Sequence, residues 1–458
     1  MSEREFDVVV VGAGPAGEVI AGRLGDAGLA VAIVEAELLG GECSYWACMP
    51  SKALLRPGEL LPETQRVPGV REAVTGELDA QAVLERRDEV IHGLDDSGQE
   101  EWIDAKGIEL FREHGRLEGE RKVRAGDDLL SARKAVVLAT GSGTLMPPIE
   151  GLKESEPWTN REATLAKEVP RRLAVLGGGV VGVEMAQAWR TLGAQVTLIE
   201  ASDRPLAREE PFAGEQVQES LREQGVEVRC DSRVVGVRRD EDGEVAIEIE
   251  GASEVRADEL LVAIGRHPHT DDLGLDTIGL EPGKYVEVDD AMRATGVDGD
   301  WLYAVGDVNG RVLLTHMGKY QARAAAHQIM GGDSVAEWDG HISPRVIFTD
   351  PQVAAVGHTL QTARDAGLNV RVVDRETSMS AGASFYGRNT RGTCRLVIDE
   401  DRKVIVGATF TGFEVADFIH AATIAIVGEV PLETLWHAIP SFPTRSEVWL
   451  NLLEEYGM

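Results

Sequence analysis

Residues 6–17 read FDVVVVGAGPAG, an apolar run that leads directly into a glycine-rich turn. The apolar residues 6–11 predict a buried strand of a parallel sheet, because almost no polar side chain interrupts them. In the turn, Gly12 permits the tight bend, Gly14 lets the backbone approach a pyrophosphate, and Gly17 allows a helix to pack closely on the strand. The stretch therefore predicts a strand, a phosphate-binding turn and a helix, in that order.

A helix and a second strand are predicted after the glycine turn. Pro15 and Ala16 begin the predicted helix 15–27, and the amide groups at its N-terminus favour a bound phosphate. The predicted strand 30–35 ends at Glu35, 23 residues after the first glycine of the turn. A carboxylate at that place can accept hydrogen bonds from ribose hydroxyls.

The same unit occurs again in the middle of the chain. A predicted strand at 173–176 and a predicted helix at 180–192 flank a second glycine turn, and a strand at 195–200 ends at Glu200. The turn consists of Gly177, Gly178, Gly179, Val180, Val181 and Gly182. One such turn is weak evidence, whereas two turns with matching strands, helices and acids predict two dinucleotide-binding domains. Two bound dinucleotides are what hydride transfer between a nicotinamide and a flavin requires.

Glu200 bears on the choice between the two nicotinamide dinucleotides. A carboxylate at this place accepts a hydrogen bond from the 2′-hydroxyl of NAD and repels the 2′-phosphate of NADP. Arg204 and Arg208 follow closely and weaken that preference. The sequence therefore predicts NAD, with NADP as the alternative.

Residues 40–52 read GGECSYWACMPSK and contain two cysteines separated by four residues. This spacing differs from that of zinc ribbons, and Cys230 and Cys394 stand alone, so no metal site is predicted. Across an irregular helix start, Cys43 and Cys48 can approach to disulfide distance. A thiol at a helix N-terminus has a lowered pKa, which favours the thiolate of Cys48. Two buried, inert cysteines are the alternative interpretation.

The composition excludes several classes of protein. The chain has 458 residues with 46 basic and 78 acidic side chains, a formal net charge of −32. Such a surface repels phosphate backbones and anionic membranes, so no nucleic-acid or membrane partner is expected. We find no apolar run of the roughly 18 residues that a membrane span needs, and no signal-peptide pattern. We therefore expect a cytoplasmic protein.

The remaining pattern completes the predicted architecture. Apolar runs that are each followed by a helical pattern predict an α/β protein with parallel strands. From about residue 343 the strands alternate polar and apolar residues, which predicts a separate α+β domain with an antiparallel sheet. The length of the chain agrees with several domains, because a single hydrophobic core rarely grows beyond about 250–300 residues.

These segments resemble those of the pyridine nucleotide-disulfide oxidoreductases, the family of dihydrolipoamide dehydrogenase, glutathione reductase and mercuric reductase. The resemblance extends over nearly the whole chain and includes three further motifs, ATG at 139–141, AVGD at 304–307 and LLTH at 313–316. It implies a homodimer in which each chain has two Rossmann-like domains and an α+β dimerisation domain. The implied boundaries are 1–150 and 271–342 for the FAD-binding domain, 151–270 for the NAD(P)-binding domain and 343–458 for the dimerisation domain.

The resemblance also implies which residues bind FAD and NAD(P). Those expected to bind the cofactors are Gly12, Gly14, Pro15, Ala16, Gly17, Glu35, Gly41, Lys52, Gly115, Ala139, Thr140, Gly141, Gly177, Gly179, Val180, Val181, Gly182, Glu184, Glu200, Gly265, Gly306, Asp307, Leu313, Leu314, Thr315 and His316.

The family mechanism further implies catalytic roles for five residues. Electrons pass from the nicotinamide through the flavin to Cys48, and Cys43 is then the thiol that attacks the substrate. Lys52 is expected to lie against the flavin and to pair with Glu184. Glu447 is expected near the C-terminus, where it orients a proton-carrying histidine in relatives that act on dithiols.

One position departs from the family pattern, because Phe442 stands where that histidine is expected. Phenylalanine cannot carry a proton, so Glu447 loses its partner and acid–base help of about 10²- to 10⁴-fold is missing. His437 is a candidate substitute, although an ordinary helix or interface histidine is the simpler interpretation.

We therefore expect an FAD-dependent NAD(P)H oxidoreductase with a redox-active Cys43–Cys48 disulfide. Its small-molecule acceptor is expected to be a disulfide, a quinone or another electrophile. The alternatives are a dihydrolipoyl dehydrogenase with a non-standard proton carrier and a non-catalytic, dinucleotide-binding redox sensor.

Overall fold

The computed structural model of the protein describes residues 2–340, 342–387 and 390–458. The helices are α1 (Pro15–Asp26), α2 (Gly41–Tyr45), α3 (Cys48–Arg66), α4 (Ala80–Val90), α5 (Ser97–Ala105), α6 (Asn160–Leu165), α7 (Val180–Thr191), α8 (Pro211–Glu223), α9 (Thr315–Ile329), α10 (Leu360–Asp365), α11 (Val415–Phe418), α12 (His420–Val427), α13 (Leu432–Leu435) and α14 (Val448–Tyr456). The strands are β1 (Ser2–Val11), β2 (Val31–Val34), β3 (Glu109–Phe111), β4 (Gly115–Leu117), β5 (Lys122–Ala125), β6 (Asp128–Leu138), β7 (Ser142–Thr144), β8 (Arg172–Leu176), β9 (Gln195–Ile199), β10 (Glu227–Arg229), β11 (Val234–Arg239), β12 (Val245–Ile249), β13 (Val255–Ala257), β14 (Glu259–Val262), β15 (Arg266–Pro268), β16 (Leu302–Ala304), β17 (Arg345–Ile347), β18 (Gln352–Gly357), β19 (Val370–Glu376), β20 (Thr393–Asp399) and β21 (Val404–Gly412).

The chain divides into two compact units. The first consists of Met1–Pro50, Asp88–Leu145 and Gly265–Gly340, and the second of Ser51–Arg87, Met146–Ile264 and His341–Met458. The domain boundaries predicted from the sequence stay a prediction.

The first unit is built on a sheet in the order β3-β2-β1-β6-β5-β4, with β16 also paired to β6. Strands β3, β2, β1, β6 and β16 run parallel, and Val11 lies opposite Val34 on one side and Leu138 on the other. The predicted buried strand is confirmed, because its valines contribute to a core on each face of the sheet.

The second unit contains the second parallel sheet, in the order β10-β9-β8-β14. Its core includes the fully buried Trp189 of α7 and the apolar residues of β8 and β9. A small antiparallel sheet, β11-β12-β13, packs its apolar residues against apolar residues of β8, β9 and β14.

The same unit also holds the C-terminal antiparallel sheet, in the order β17-β18-β21-β20-β19. Helix α12 buries Ala422, Ala425 and Ile426 on it, and helix α14 buries Val448, Leu452 and Leu453. The predicted α/β class, with two strand–turn–helix units and a C-terminal α+β part, is confirmed. No helix in the three described stretches of the chain is long and apolar enough to cross a membrane.

Candidate functional site

The first glycine turn leaves no room for side chains at two of its glycines. Gly12 has a φ of +99°, and an added Cβ would lie 2.4 Å from the carbonyl oxygen of Ala139. At Gly17 an added Cβ would lie 2.0 Å from the carbonyl oxygen of Gly12. Strand β1 and helix α1 therefore approach more closely than any side chain permits.

The second glycine of the turn, Gly14, is open by contrast. It is the N-cap of α1 with a φ of −67°, Pro15 takes the first helical position, and an added Cβ would meet no atom within 4 Å. Gly41 approaches it closely, since a Cβ there would lie 2.9 Å from the Cα atom of Gly14. An open backbone at a helix N-terminus fits the pyrophosphate of a dinucleotide such as FAD.

Glu35 is held at the edge of this turn by backbone amides. Its carboxylate accepts hydrogen bonds from the amides of Ala13, at 2.7 Å, and Glu37, at 2.8 Å. Burial raises the pKa of Glu35, and these amide hydrogen bonds oppose that shift. The two amides thereby fix the orientation of the carboxylate, and its predicted role as an acceptor for a ribose hydroxyl stays a prediction.

Asp307, another residue predicted to bind FAD, contacts Ser142 and Arg266. Its carboxylate accepts a hydrogen bond of 2.6 Å from the hydroxyl of Ser142 and lies 3.8 Å from the guanidinium of Arg266. Burial raises the pKa of Asp307 despite these contacts. Thr140, in the neighbouring turn, donates its hydroxyl to the carbonyl of His269 at 3.1 Å.

The turn that carries Asp307 is fixed by a buried amide, Gln321 of α9. Its side-chain oxygen accepts from the backbone amide of Gly306 at 2.8 Å and from the side chain of Asn309 at 2.9 Å. Its nitrogen donates to Asp339 at 2.9 Å. No local sequence pattern indicates Gln321, because its partners lie 12 to 18 residues away in the chain.

Local geometry explains why three other predicted positions hold glycine. Position 115 has no room for a side chain, because a Cβ there would lie 2.7 Å from Val11 and 3.1 Å from Val34. Gly141 has a φ of +71° and Gly265 a φ of +156°, which favour glycine.

The two cysteines lie side by side in the first unit as thiols. Cys43 lies in α2 and Cys48 is the first residue of α3, so the N-terminal end of that helix favours a thiolate at Cys48. The thiol of Cys43 is within hydrogen-bonding reach of Cys48, and both this contact and burial raise its pKa. The hydroxyl of Thr315 lies 3.4 Å from the sulfur of Cys48 and also interacts with Cys43.

Helix α9 therefore directs its N-terminus toward the cysteine pair. Leu314 is its N-cap and Thr315 its first residue, with His316 exposed beside them. Lys319, one turn further on, acts on the Cys43 thiol and opposes the rise in its pKa. The helix thus brings a hydroxyl, a cation and a positive helix end to the two sulfurs.

Glu18 is a further titratable group in this unit, and it was not among the residues predicted from the sequence. It follows Gly17 in α1, and burial raises its pKa to about 7, while Lys319 opposes the rise and Glu35 adds to it. Its Oε1 atom is buried and has no hydrogen-bond partner among the residues that the structure describes. The available signal was an acid placed directly after the last glycine of an otherwise apolar cradle.

The second glycine turn repeats the geometry of the first within the second unit. Gly177 has a φ of +108°, and a Cβ on Gly182 would lie 1.8 Å from its carbonyl oxygen. Gly179 is the N-cap of α7, and the next residues, Val180 and Val181, are exposed. Exposed valines at the start of a helix leave its amide groups accessible to a phosphate.

Glu200 occupies the same place in this unit as Glu35 in the first. Its carboxylate accepts from the amide of Gly178 at 2.5 Å and from that of Ser202 at 2.7 Å. Arg204 donates to its neighbours Asp203, at 3.1 Å, and Ala207, at 3.3 Å. The carboxylate therefore faces the turn, and the nearby guanidinium is engaged elsewhere.

Lys52 and Glu184 form an ion pair in the second unit, with 2.7 Å between Nζ and Oε2. Glu184 is only 3% exposed, whereas the Lys52 side chain is 35% exposed. The other carboxylate oxygen accepts from the amide of Phe348 at 2.9 Å, and the Lys52 ammonium lies 4.9 Å from the centre of the Phe348 ring. Phe348 thus positions both members of the pair, which no local sequence signal indicated.

The segment around the missing histidine is exposed in the single chain. Phe442 is 78% exposed and Ile439 is 75% exposed. Glu447 accepts a hydrogen bond from the amide of Gly382 at 3.3 Å, so a backbone contact replaces the expected imidazole. His437 is exposed as well, and the structure links it to no catalytic group of the described chain.

Known families and relatives match this architecture over nearly the whole chain. Residues 6–328 match the family model described as pyridine nucleotide-disulphide oxidoreductase, and residues 343–453 match its dimerisation domain. Dihydrolipoyl dehydrogenase 3 from Pseudomonas aeruginosa is 34% identical, and the alignment covers 96% of each protein. A mercuric reductase from Lysinibacillus sphaericus is 28% identical over 98% of this chain and 82% of the relative.

Two solved structures have a similar fold. The HOCl-induced flavoprotein disulfide reductase RclA from Escherichia coli has a TM-score of 0.85 at 25% identity, covering 98% of this chain and 99% of that one. LpdA from Mycobacterium tuberculosis has a TM-score of 0.86 at 22% identity over the full length of both chains. The latter likeness concerns the fold alone.

Substitution of the closed glycine and of the open glycine in the first turn is expected to have different effects. We expect Gly17→Ala to destabilise the protein by about 1–3 kcal/mol, because its Cβ collides with backbone. Gly14→Ala should leave the melting temperature of the flavin-free protein unchanged but lower its affinity for FAD about tenfold or more, because the methyl group occupies the approach of the pyrophosphate. Thermal melts of the flavin-free protein and FAD titrations measure the two effects. Full FAD affinity in Gly14→Ala would contradict the assigned cradle.

The ion pair of Lys52 predicts an electrostatic effect on a bound flavin. Glu184→Gln keeps an acceptor for the Phe348 amide but leaves the Lys52 charge uncompensated. We expect the flavin reduction potential to rise by about 30 mV, which for a two-electron couple equals about 1.4 kcal/mol, because a nearby cation stabilises the reduced flavin. A spectroelectrochemical titration measures this shift. Glu215→Gln, an exposed acid of α8, is the control, and equal potentials for both variants would place Lys52 away from the flavin.

Proposed function

Because the chain belongs to the pyridine nucleotide-disulphide oxidoreductase family, whose members are FAD-dependent enzymes that use NAD(P)H, we propose that it passes electrons from NADH through FAD and the Cys43–Cys48 pair to a small-molecule acceptor. The observation that carries this proposal is the contact between the two thiols where α3 and α9 begin. Two inert structural cysteines need neither a helix start nor a neighbouring hydroxyl and cation.

In this proposal the cofactor and the individual residues have separate roles. FAD, when bound, supplies the two-electron relay between the hydride donor and the disulfide. Cys48, at the start of α3, receives the electrons, and Cys43 is the thiol that meets the acceptor. Lys52, which forms an ion pair with Glu184, is proposed to tune the reduction potential of the flavin.

NADH is the proposed electron donor because of Glu200. Its carboxylate is fixed by two backbone amides and faces the second glycine turn, where it accepts from the 2′-hydroxyl of NAD and repels a 2′-phosphate. Arg204 is engaged by Asp203 and Ala207, so it offers a 2′-phosphate little compensation.

The acceptor is proposed to be a disulfide, a quinone or another electrophile that needs no imidazole at position 442. Phe442 and Ile439 are both exposed and apolar, so this segment suits an apolar surface rather than a proton relay. Together with the match to a dimerisation domain, these and two further exposed apolar residues, Phe385 and Ile424, support a homodimer.

Dihydrolipoyl dehydrogenase activity is the second candidate. Its supporting observation is the 34% identity to dihydrolipoyl dehydrogenase 3 over 96% of the chain. This candidate requires a proton carrier other than residue 442, because phenylalanine cannot act as a base.

Reduction with NADH tests the proposed function directly. We expect anaerobic NADH to give the yellow holoprotein a long-wavelength absorption band from the Cys48 thiolate beside the flavin, and Cys48→Ser to abolish it. The reduced enzyme should then turn over with members of a panel of disulfides, quinones and metal ions, faster with NADH than with NADPH. Cys394→Ser is the control for loss of a thiol, because Cys394 is buried in the C-terminal sheet. A colourless purified protein that binds no flavin would contradict the proposed oxidoreductase activity.

Substitution of Phe442 separates the two candidate functions. We expect wild type to oxidise dihydrolipoamide slowly and Phe442→His to do so about 10²-fold faster or more, because an imidazole restores acid–base catalysis next to Glu447. Steady-state rates across pH measure the effect, and Phe442→Leu controls for loss of the ring. High dihydrolipoamide turnover by wild type would favour the dihydrolipoyl dehydrogenase.

A further inference from the structure

Residues 306–314, here called the connecting loop, join two parts of the predicted active site. The loop begins directly before Asp307, which is predicted to bind FAD, and it ends at Leu314, the N-cap of α9. The next residue, Thr315, places its hydroxyl 3.4 Å from the sulfur of Cys48. A group that holds the connecting loop therefore acts on the flavin site and on the redox thiol together.

Two buried amide side chains hold the first half of the connecting loop. The oxygen of Gln321, on α9, accepts from the amide of Gly306 at 2.8 Å and from the side chain of Asn309 at 2.9 Å. The nitrogen of Asn309 also donates to the carbonyl of Ala304 at 3.1 Å, and its oxygen accepts from the amide of Arg311 at 3.0 Å. These hydrogen bonds tie the loop to β16 and to α9.

Asp339 is the carboxylate at which this hydrogen-bond network ends. No part of its side chain is exposed, and its Oδ2 atom accepts from Nε2 of Gln321 at 2.9 Å and lies 3.0 Å from Nε of Arg311. Arg311, in the connecting loop, also donates to the exposed carboxylate of Asp290 at 2.9 Å. Burial raises the pKa of Asp339, whereas Gln321 and Arg311 oppose that rise. One buried oxygen therefore contacts both α9 and the connecting loop.

Backbone contacts fix the segment that carries Asp339. The amide of Ala336 donates to the carbonyl of Asp290 at 2.8 Å, and the amide of Trp338 lies 3.4 Å from the hydroxyl of Tyr320 on α9. Apolar residues can often replace a buried ion pair without a loss of stability, so the free energy of unfolding alone does not explain this carboxylate. Its two contacts point to a role in placing the loop.

We propose that Asp339 is a positioning residue that sets the connecting loop through Gln321 and Arg311. It thereby places Asp307 for FAD and the hydroxyl of Thr315 for the Cys48 thiolate. This inference rests on the proposed function, in which Cys48 becomes a thiolate beside the flavin. A thiolate has no proton to donate, so the hydroxyl of Thr315 donates to the sulfur and stabilises its negative charge.

Removal of the Asp339 carboxylate tests the proposal with two measurements on the holoenzyme. We expect Asp339→Ala to raise the dissociation constant of FAD about tenfold, because the loop loses a buried acceptor. Flavin fluorescence on dilution of the holoenzyme measures this constant. In the NADH-reduced holoenzyme, the pH at which the long-wavelength thiolate–flavin band is half-formed should rise by about one unit, because Thr315 no longer stabilises the thiolate. A spectrophotometric pH titration measures this midpoint.

The direction of the midpoint shift separates positioning from a direct effect of charge. Loss of a nearby negative charge alone would favour the thiolate and lower the midpoint, whereas loss of the hydrogen bond from Thr315 raises it. We expect Thr315→Val to raise the midpoint by the same amount as Asp339→Ala. The double variant should then show no further rise, because both substitutions remove one interaction.

Three further variants complete the test. Asp339→Asn keeps one carbonyl oxygen, and Gln321 and Arg311 both use a single oxygen of Asp339, so this variant should recover most of the FAD affinity and of the wild-type midpoint. If Asp339→Ala does not fold, Arg311→Met replaces it in the same double-variant experiment, because it removes only the contact to the loop. Glu337→Gln, which alters an exposed acid two residues before Asp339, is the matched control and should behave as wild type.

The outcomes distinguish this inference from the proposed function. If wild type forms the band but Asp339→Ala keeps the wild-type FAD affinity and midpoint, Asp339 does not position the loop and the proposed function stands. A midpoint that falls in Asp339→Ala, or that rises further in the double variant, also overturns the inference. Equal effects of Asp339→Asn and Asp339→Ala overturn it too, because the retained oxygen then makes no difference. If NADH gives wild type no long-wavelength band, the proposed function itself falls.

Discussion

The contact between Gly17 and the carbonyl of Gly12 governs the first unit of this structure. A side chain at Gly17 would overlap that oxygen, so the absence of a Cβ lets α1 start directly against the end of β1. This closeness aims the amide groups of α1 at one point and leaves Gly14 open beside them. The same contact recurs between Gly182 and Gly177, and we therefore expect one dinucleotide to bind beside each contact.

Helix α9 contacts both the turn that carries Asp307 and the cysteine pair. Its buried Gln321 holds the turn before Asp307, and its first residue, Thr315, contacts the sulfurs of Cys43 and Cys48. One rigid helix thus relates the predicted flavin contacts to the thiols. A shift of this helix would disturb both at once, because amide and hydroxyl contacts tolerate only a few tenths of an ångström.

The sequence predicted the fold and many candidate site positions, because their physical causes are local. A glycine turn between a β-branched run and a helix needs no distant partner to be recognised, and Cys43 and Cys48 lie close in the chain. The contacts of Gln321 and Phe348 could not be predicted, because each depends on elements distant in sequence. Glu18 was missed for another reason, since the burial that makes it unusual arises only when other elements pack around α1.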